Sequence, residues 1–172
     1  MKQTIAIVGV GLIGGSLALQ CKRKGIAEKI IGVENNTDHA KQAMDLHLVD
    51  EVLNLDDAIE QADVIVLTVP MNTLVKILPS ILDKVSSQIV MDMGSTKSTL
   101  ANVVDAHPKR GRFIATHPMW GTEYSGPSAA VEGAFENKAV ILCDTEKSDP
   151  DVLAFATSLY TTLKMHMLEM NA

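Results

Sequence analysis

Gly9-Val10-Gly11-Leu12-Ile13-Gly14 forms a G-x-G-x-x-G cluster, and Glu34 stands 20 positions beyond its last glycine. Glycine-rich turns are common, so the spacing points to a dinucleotide only where a strand leads in, a helix leads out and the acid ends a second strand. Those conditions are met: a β-branched run ends at Val8, a helical pattern starts near Leu12, and Glu34 closes Ile30-Ile31-Gly32-Val33. Gly9 suits the tight turn, Gly11 leaves space where a pyrophosphate nears the backbone, and Gly14 lets helix and strand pack closely. The unpaired N–H groups of the first helical turn, at Leu12 and Ile13, face the anion together with the helix dipole. Glu34 is placed to bind both ribose hydroxyls, and it would repel a 2′-phosphate. Asn35-Asn36-Thr37-Asp38 offers no arginine to compensate, which favours NAD over NADP. The competing reading is a glycine turn with a surface glutamate and no cofactor.

Two further segments carry reactive residue types at the ends of expected strands: Asp92-Met93-Gly94-Ser95-Thr96-Lys97, and the run from Thr116-His117-Pro118 through Gly126. In a doubly wound sheet the carboxyl ends of the strands open onto the ligand crevice, so both loops should face the cofactor. Ser95 and His117 then meet one substrate hydroxyl. A histidine, with a pKa of about 6.5, suits removal of the hydroxyl proton while hydride leaves the same carbon. Plainer roles stay open: His117 as a structural loop residue, Ser95 as the N-cap of a helix opening at Thr96, and Lys97 as a solvated first-turn lysine. His39, His47, His107 and His166 lack comparable context and read as structural or surface residues. Cys21 and Cys143 lie far apart in apolar segments without metal-ligand spacing, and read as reduced core thiols; no metal site is expected.

The elements that must position these residues follow from patterning. The 172 residues suit one domain, and 47% apolar with 21% charged residues excludes disorder. A net charge of −6, with no basic run beyond Lys22-Arg23-Lys24, argues against a nucleic-acid partner. Met1-Lys2-Gln3 leads directly into the first strand without a signal-peptide pattern, and no apolar run approaches the ~18 residues of a membrane span. The expectation is a soluble cytoplasmic protein with no membrane partner. Strand patterns at 4–8, 30–33, near Val52, and at 63–70, 88–91, 113–115, 139–143 and 164–168 alternate with helical ones. The helices are expected at 12–24, 37–46, 56–61, 73–84 and 96–104, with a last one opened by Asp149 and Pro150. Thr37 is taken as a cap, residues 117–132 as a long irregular loop, and the final strand as internal, with Met165, Met167 and Met170 filling core. The fold class is α/β, Rossmann-type and doubly wound, with a mostly parallel sheet in a single domain over 1–172.

Gly9 through Ala18, Thr68-Val69-Pro70, Gly94-Ser95-Thr96-Lys97 and, most specifically, His117-Pro118-Met119-Trp120-Gly121-Thr122-Glu123-Tyr124-Ser125-Gly126 resemble the prephenate/arogenate dehydrogenase family of tyrosine biosynthesis. The resemblance covers the chain from Lys2 onward. It implies an NAD-dependent oxidative decarboxylation of prephenate to 4-hydroxyphenylpyruvate, driven by aromatisation and needing no metal. It assigns His117 as base and Ser95 as the residue that orients the same hydroxyl. Val69 and Pro70 fall beside the cofactor; Lys97, Thr122, Glu123 and Ser125 fall beside the substrate, with Glu123 at the entrance. Trp120 stands where a small residue is common in the family. The family continues into a helical C-terminal domain that closes the substrate site and forms a homodimer; with that domain absent here, weak activity is expected. Arogenate as substrate, another two-domain NAD(P) dehydrogenase, and a non-catalytic NAD-binding module are the alternatives.

Overall fold

A computed structural model describes residues 3–172, so the leader reading at Met1 and Lys2 lies outside the described residues. Fourteen regular elements follow one another: β1 (Gln3–Val8), α1 (Leu12–Arg23), β2 (Ala27–Val33), α2 (Thr37–Asp45), β3 (Glu51–Val52), α3 (Leu55–Gln61), β4 (Val64–Leu67), α4 (Met71–Lys84), β5 (Ile89–Asp92), α5 (Ser98–Val104), β6 (Phe113–Pro118), β7 (Ala139–Cys143), α6 (Pro150–Thr162) and β8 (His166–Met170). The strands form one eight-stranded sheet in the order β3-β2-β1-β4-β5-β6-β7-β8. Every ladder is parallel except β6–β7. The α/β doubly wound expectation therefore holds, and the chain reverses its direction of growth between β1 and β4. That reversal opens the crevice where such sheets bind ligands.

Alternation along the strands builds two cores. Ile5 and Ile7 join one face with Leu17, Cys21, Ala43, Val152 and Tyr160 of α1, α2 and α6. Ala6 and Val8 join the other with Ala58, Leu74, Leu78, Leu100 and Val104 of α3, α4 and α5. Apolar on both faces, β1 and β4 are central strands, and each fully buried Ile or Leu adds about 1.5–3 kcal/mol. Gly25, at φ +65°, follows the last turn of α1 as expected for a helix stop. Both cysteines are free and buried, and burial pushes the Cys21 thiol up to about 12, which keeps it unreactive.

Several local expectations are corrected. The antiparallel partner β7 extends β6 through His117 and Pro118, which pair with Ile141 and Val140, so His117 stands on a strand end and the irregular loop starts at Met119. Strand β4 stops at Leu67; the Thr68 amide still donates to Val8 O at 2.9 Å, and Val69 and Pro70 lie beyond the ladder. The cap of α2 is Asn36, whose side chain accepts from the Asp38 and His39 amides, and not Thr37. Asp149 occupies the N-cap position of α6 without a side-chain cap bond, because its carboxylate accepts from Arg112 at 3.3 Å. Strand β8 is the outer edge of the sheet, paired only with β7, and not internal. Having no neighbour there, Met167 and Met170 are exposed, and only Met165 fills core.

Candidate functional site

The glycine turn is built by contacts from β4. Gly9 has φ +94°, and its N–H donates to Val33 O at 2.8 Å, which fastens the turn to β2. Thr68 Oγ1 reaches Gly9 O at 2.6 Å and Val8 O at 3.0 Å, binding the turn to the residue that follows β4. A Cβ on Gly14 would sit 2.3 Å from Gly9 O and 2.7 Å from Thr68 Oγ1, so only glycine permits this approach of α1. A Cβ on Gly11 would meet nothing within 4 Å and would project into open space. Glu34 folds back on the turn: one carboxylate oxygen accepts from Val10 N at 3.1 Å, the other from Asn36 N at 3.0 Å.

Two adjoining cavities share Gly11, Thr68, Val69 and Pro70. The first, about 430 Å³, is lined by Gly9, Glu34, Leu55, His39, Thr73 and Ile77 among others. The second, about 370 Å³, adds Leu12, Ile13, Ser95, Tyr124, Ser125 and Gly126. Together they make a trough across the reversal point, from the acid that ends β2 to the loop that follows β5. Sequence reasoning missed His39 and Thr68 here. His39 lies one helical turn after the Glu34 loop, and Thr68 belongs to a motif already singled out.

Beside the trough, Asp92 ends β5 and is fully buried. Its carboxylate forms an ion pair with Lys97 and accepts from Gly94 N at 2.8 Å and Thr116 N at 3.2 Å. Burial pushes the Asp92 carboxyl up, and Lys97 with the two amides pulls against it. Lys97 Nζ also donates to Gly94 O at 2.7 Å, and its side chain is only 6% exposed. The lysine is thus buried rather than solvated, and it is not itself among the residues that line the trough. Its bonds close the turn around the exposed Ser95, so α5 starts only at Ser98 and Ser95 is not its N-cap. His117 is half-buried, and that desolvation, followed by the nearby Lys97 charge, lowers its pKa below the ordinary 6.5. No hydrogen bond joins Ser95 to His117 among the described residues.

The loop after β6 is anchored at several points. Trp120 packs edge-on against Phe135 with ring centroids 5.7 Å apart, which gives the large side chain a place on the core. Val131 N donates to Ser16 Oγ at 2.9 Å, and Ser128 N to Gln42 Oε1 at 3.3 Å, on α1 and α2. Between these anchors, Thr122, Glu123, Tyr124 and Ser125 are exposed. Ser125 lines the trough, and Glu123 lines a neighbouring open depression with Tyr124 and Ser128. Among the described residues, no group of three His, Cys, Asp or Glu is placed to hold a metal, and no helix is long and apolar enough to cross a membrane.

Comparison with known proteins places this geometry. The family model for the prephenate dehydrogenase nucleotide-binding domain matches residues 17–169. Prephenate dehydrogenase of Bacillus subtilis is 33% identical across 99% of this chain, which covers 47% of that protein. The crystal structure of prephenate dehydrogenase from Aquifex aeolicus superposes with a TM-score of 0.89 at 30% identity, over 97% of this chain and 61% of the other. The A. aeolicus enzyme in complex with hydroxyphenyl propionate and NAD+ gives 0.83 at 29% identity, over 99% and 60%. The chain spans about half the length of the curated relatives it matches. It belongs to the family of prephenate dehydrogenase nucleotide-binding domains.

Proposed function

We propose that this chain is the NAD-binding part of a prephenate dehydrogenase that converts prephenate to 4-hydroxyphenylpyruvate. The observation that carries the reading is the trough itself, in which the glycine turn and Ser95 line one continuous space. The A. aeolicus relative in complex with NAD+ supports the choice of cofactor. When bound, the nicotinamide supplies a hydride acceptor. The residues here would hold it: Gly9, Gly11, Leu12, Ile13 and Gly14 at the pyrophosphate, Glu34 at the ribose, and Val69 and Pro70 along the opposite wall.

His117, uncharged near neutral pH, takes the proton of the ring hydroxyl as hydride leaves the carbon that bears it. Ser95 orients that hydroxyl. The bond to the ring carboxylate then breaks, CO₂ departs, and its electron pair completes the aromatic ring. Thr122, Glu123 and Ser125 border the substrate entrance. The net charge of −6 and the two free buried thiols support a cytoplasmic enzyme with small-molecule partners and no role for nucleic acid or membrane. Likeness to the family supports a homodimer formed through its helical domain.

The test is NADH formation from prephenate and NAD+ by this chain. Slow turnover is expected, lost in His117→Asn, with NAD affinity in that variant within about threefold of the parent, roughly 0.7 kcal/mol. Full turnover in His117→Asn would refute the assignment of the base. Absence of turnover with intact NAD binding would favour the non-catalytic module.

A further inference from the structure

We propose that Asp92 is the positioning residue of this site, its two carboxylate oxygens holding the Ser95 turn and the His117 strand end together, with Lys97 as its buried counter-ion. The inference rests on the reading of Ser95 and His117 as the residues that meet the reacting hydroxyl.

The geometry is that of a tie between two strands. At the top of the sheet the β5–β6 ladder ends with Asp92 opposite Ala115. There the Asp92 side chain also reaches across to β6: Oδ1 accepts from Thr116 N at 3.2 Å, directly before His117. Oδ2 accepts from Gly94 N, directly before Ser95. Each candidate catalytic residue is thus one peptide from the same carboxylate. Thr116 is fixed again from below, its hydroxyl donating to Asp92 O at 2.5 Å and lying 2.5 Å from the Tyr160 hydroxyl of α6. Lys97 completes the clamp by bonding both the carboxylate and Gly94 O across the turn.

Stability alone gives no reason for such a pair. A buried ion pair can be replaced by apolar residues of similar volume at little cost, whereas removal of one partner strands a charge. What apolar residues cannot do is accept two amide hydrogens at once, one from the turn after β5 and one from β6. Asparagine also falls short, because its NH₂ would face one of the two N–H donors.

Site-resolved NMR of the chain tests the tie. Asp92→Asn breaks one of its arms, and Asp92→Asn/Lys97→Met does so without leaving a buried charge. In the double variant the amides of β1 and β4 keep their hydrogen-exchange protection, while whichever of Gly94 N and Thr116 N then faces the side-chain NH₂ exchanges at least about tenfold faster. The His117 imidazole titrates at higher pH, because Lys97 is the charged group acting on it and its β7 partner, Ile141, is apolar. Lys97→Met alone melts at lower temperature than the double variant. Exchange that rises at neither Gly94 nor Thr116 beyond its rise in β1 and β4 overturns the proposal, as does a Lys97→Met protein more stable than the double variant. ADP-ribose affinity, expected within about twofold in every form, separates this outcome from failure of the cofactor reading: no binding by the parent chain would sink that reading alone.

Discussion

The surroundings of His117 lower its pKa, and that has a consequence for stability as well as for chemistry. Desolvation and the Lys97 charge lower its folded pKa, whereas in the unfolded chain it protonates near the ordinary 6.5. Between those values the unfolded state binds more protons, so the His117 contribution to stability grows as pH rises through that window and is lost as pH falls through the folded value. Urea midpoints measured from about pH 5 to pH 7.5 should therefore rise more steeply with pH in the parent chain than in His117→Asn. Equal slopes would show that the imidazole is not desolvated. At this scale the sequence singles out His117 and Ser95 as candidates by their motif, in segments that follow expected strands. It does not reveal that Lys97 turns inward or that Asp92 joins two loops, because both depend on where a side chain points once β5 and β6 are paired.

The elements show why Gly11 and Gly14 of the turn are not equivalent. Gly14→Ala forces a methyl onto Gly9 O and Thr68 Oγ1, so α1 must lift from the turn, at a cost of about 1–3 kcal/mol. Gly11→Ala faces empty space and keeps a negative φ, so its stability stays within about 0.5 kcal/mol of the parent. Thermal melts of both variants check the pair, and a destabilised Gly11→Ala would contradict the open cradle. The strand–helix alternation around these glycines is legible because β1 and β4 are apolar on both faces. Strand ends are less so. The reach of β6 through Pro118 depends on an antiparallel partner more than 20 residues away, and the edge position of β8 on a strand order that no local pattern records.

For the whole molecule, the sheet order places the turn after β1 and the loop after β4 side by side, and the loops after β5 and β6 next to them. The trough is the product of that order, with Glu34 at one end and Ser95 at the other. Calorimetric titration of the chain with NAD+ and NADP+ tests the trough most directly. One NAD+ per chain is expected, with NADP+ at least about tenfold weaker because Glu34 opposes a 2′-phosphate, and NAD+ binding weakened at least about tenfold by Gly11→Ala in a protein of unchanged stability. Absence of NAD+ binding, or equal binding by Gly11→Ala, would contradict the cofactor reading.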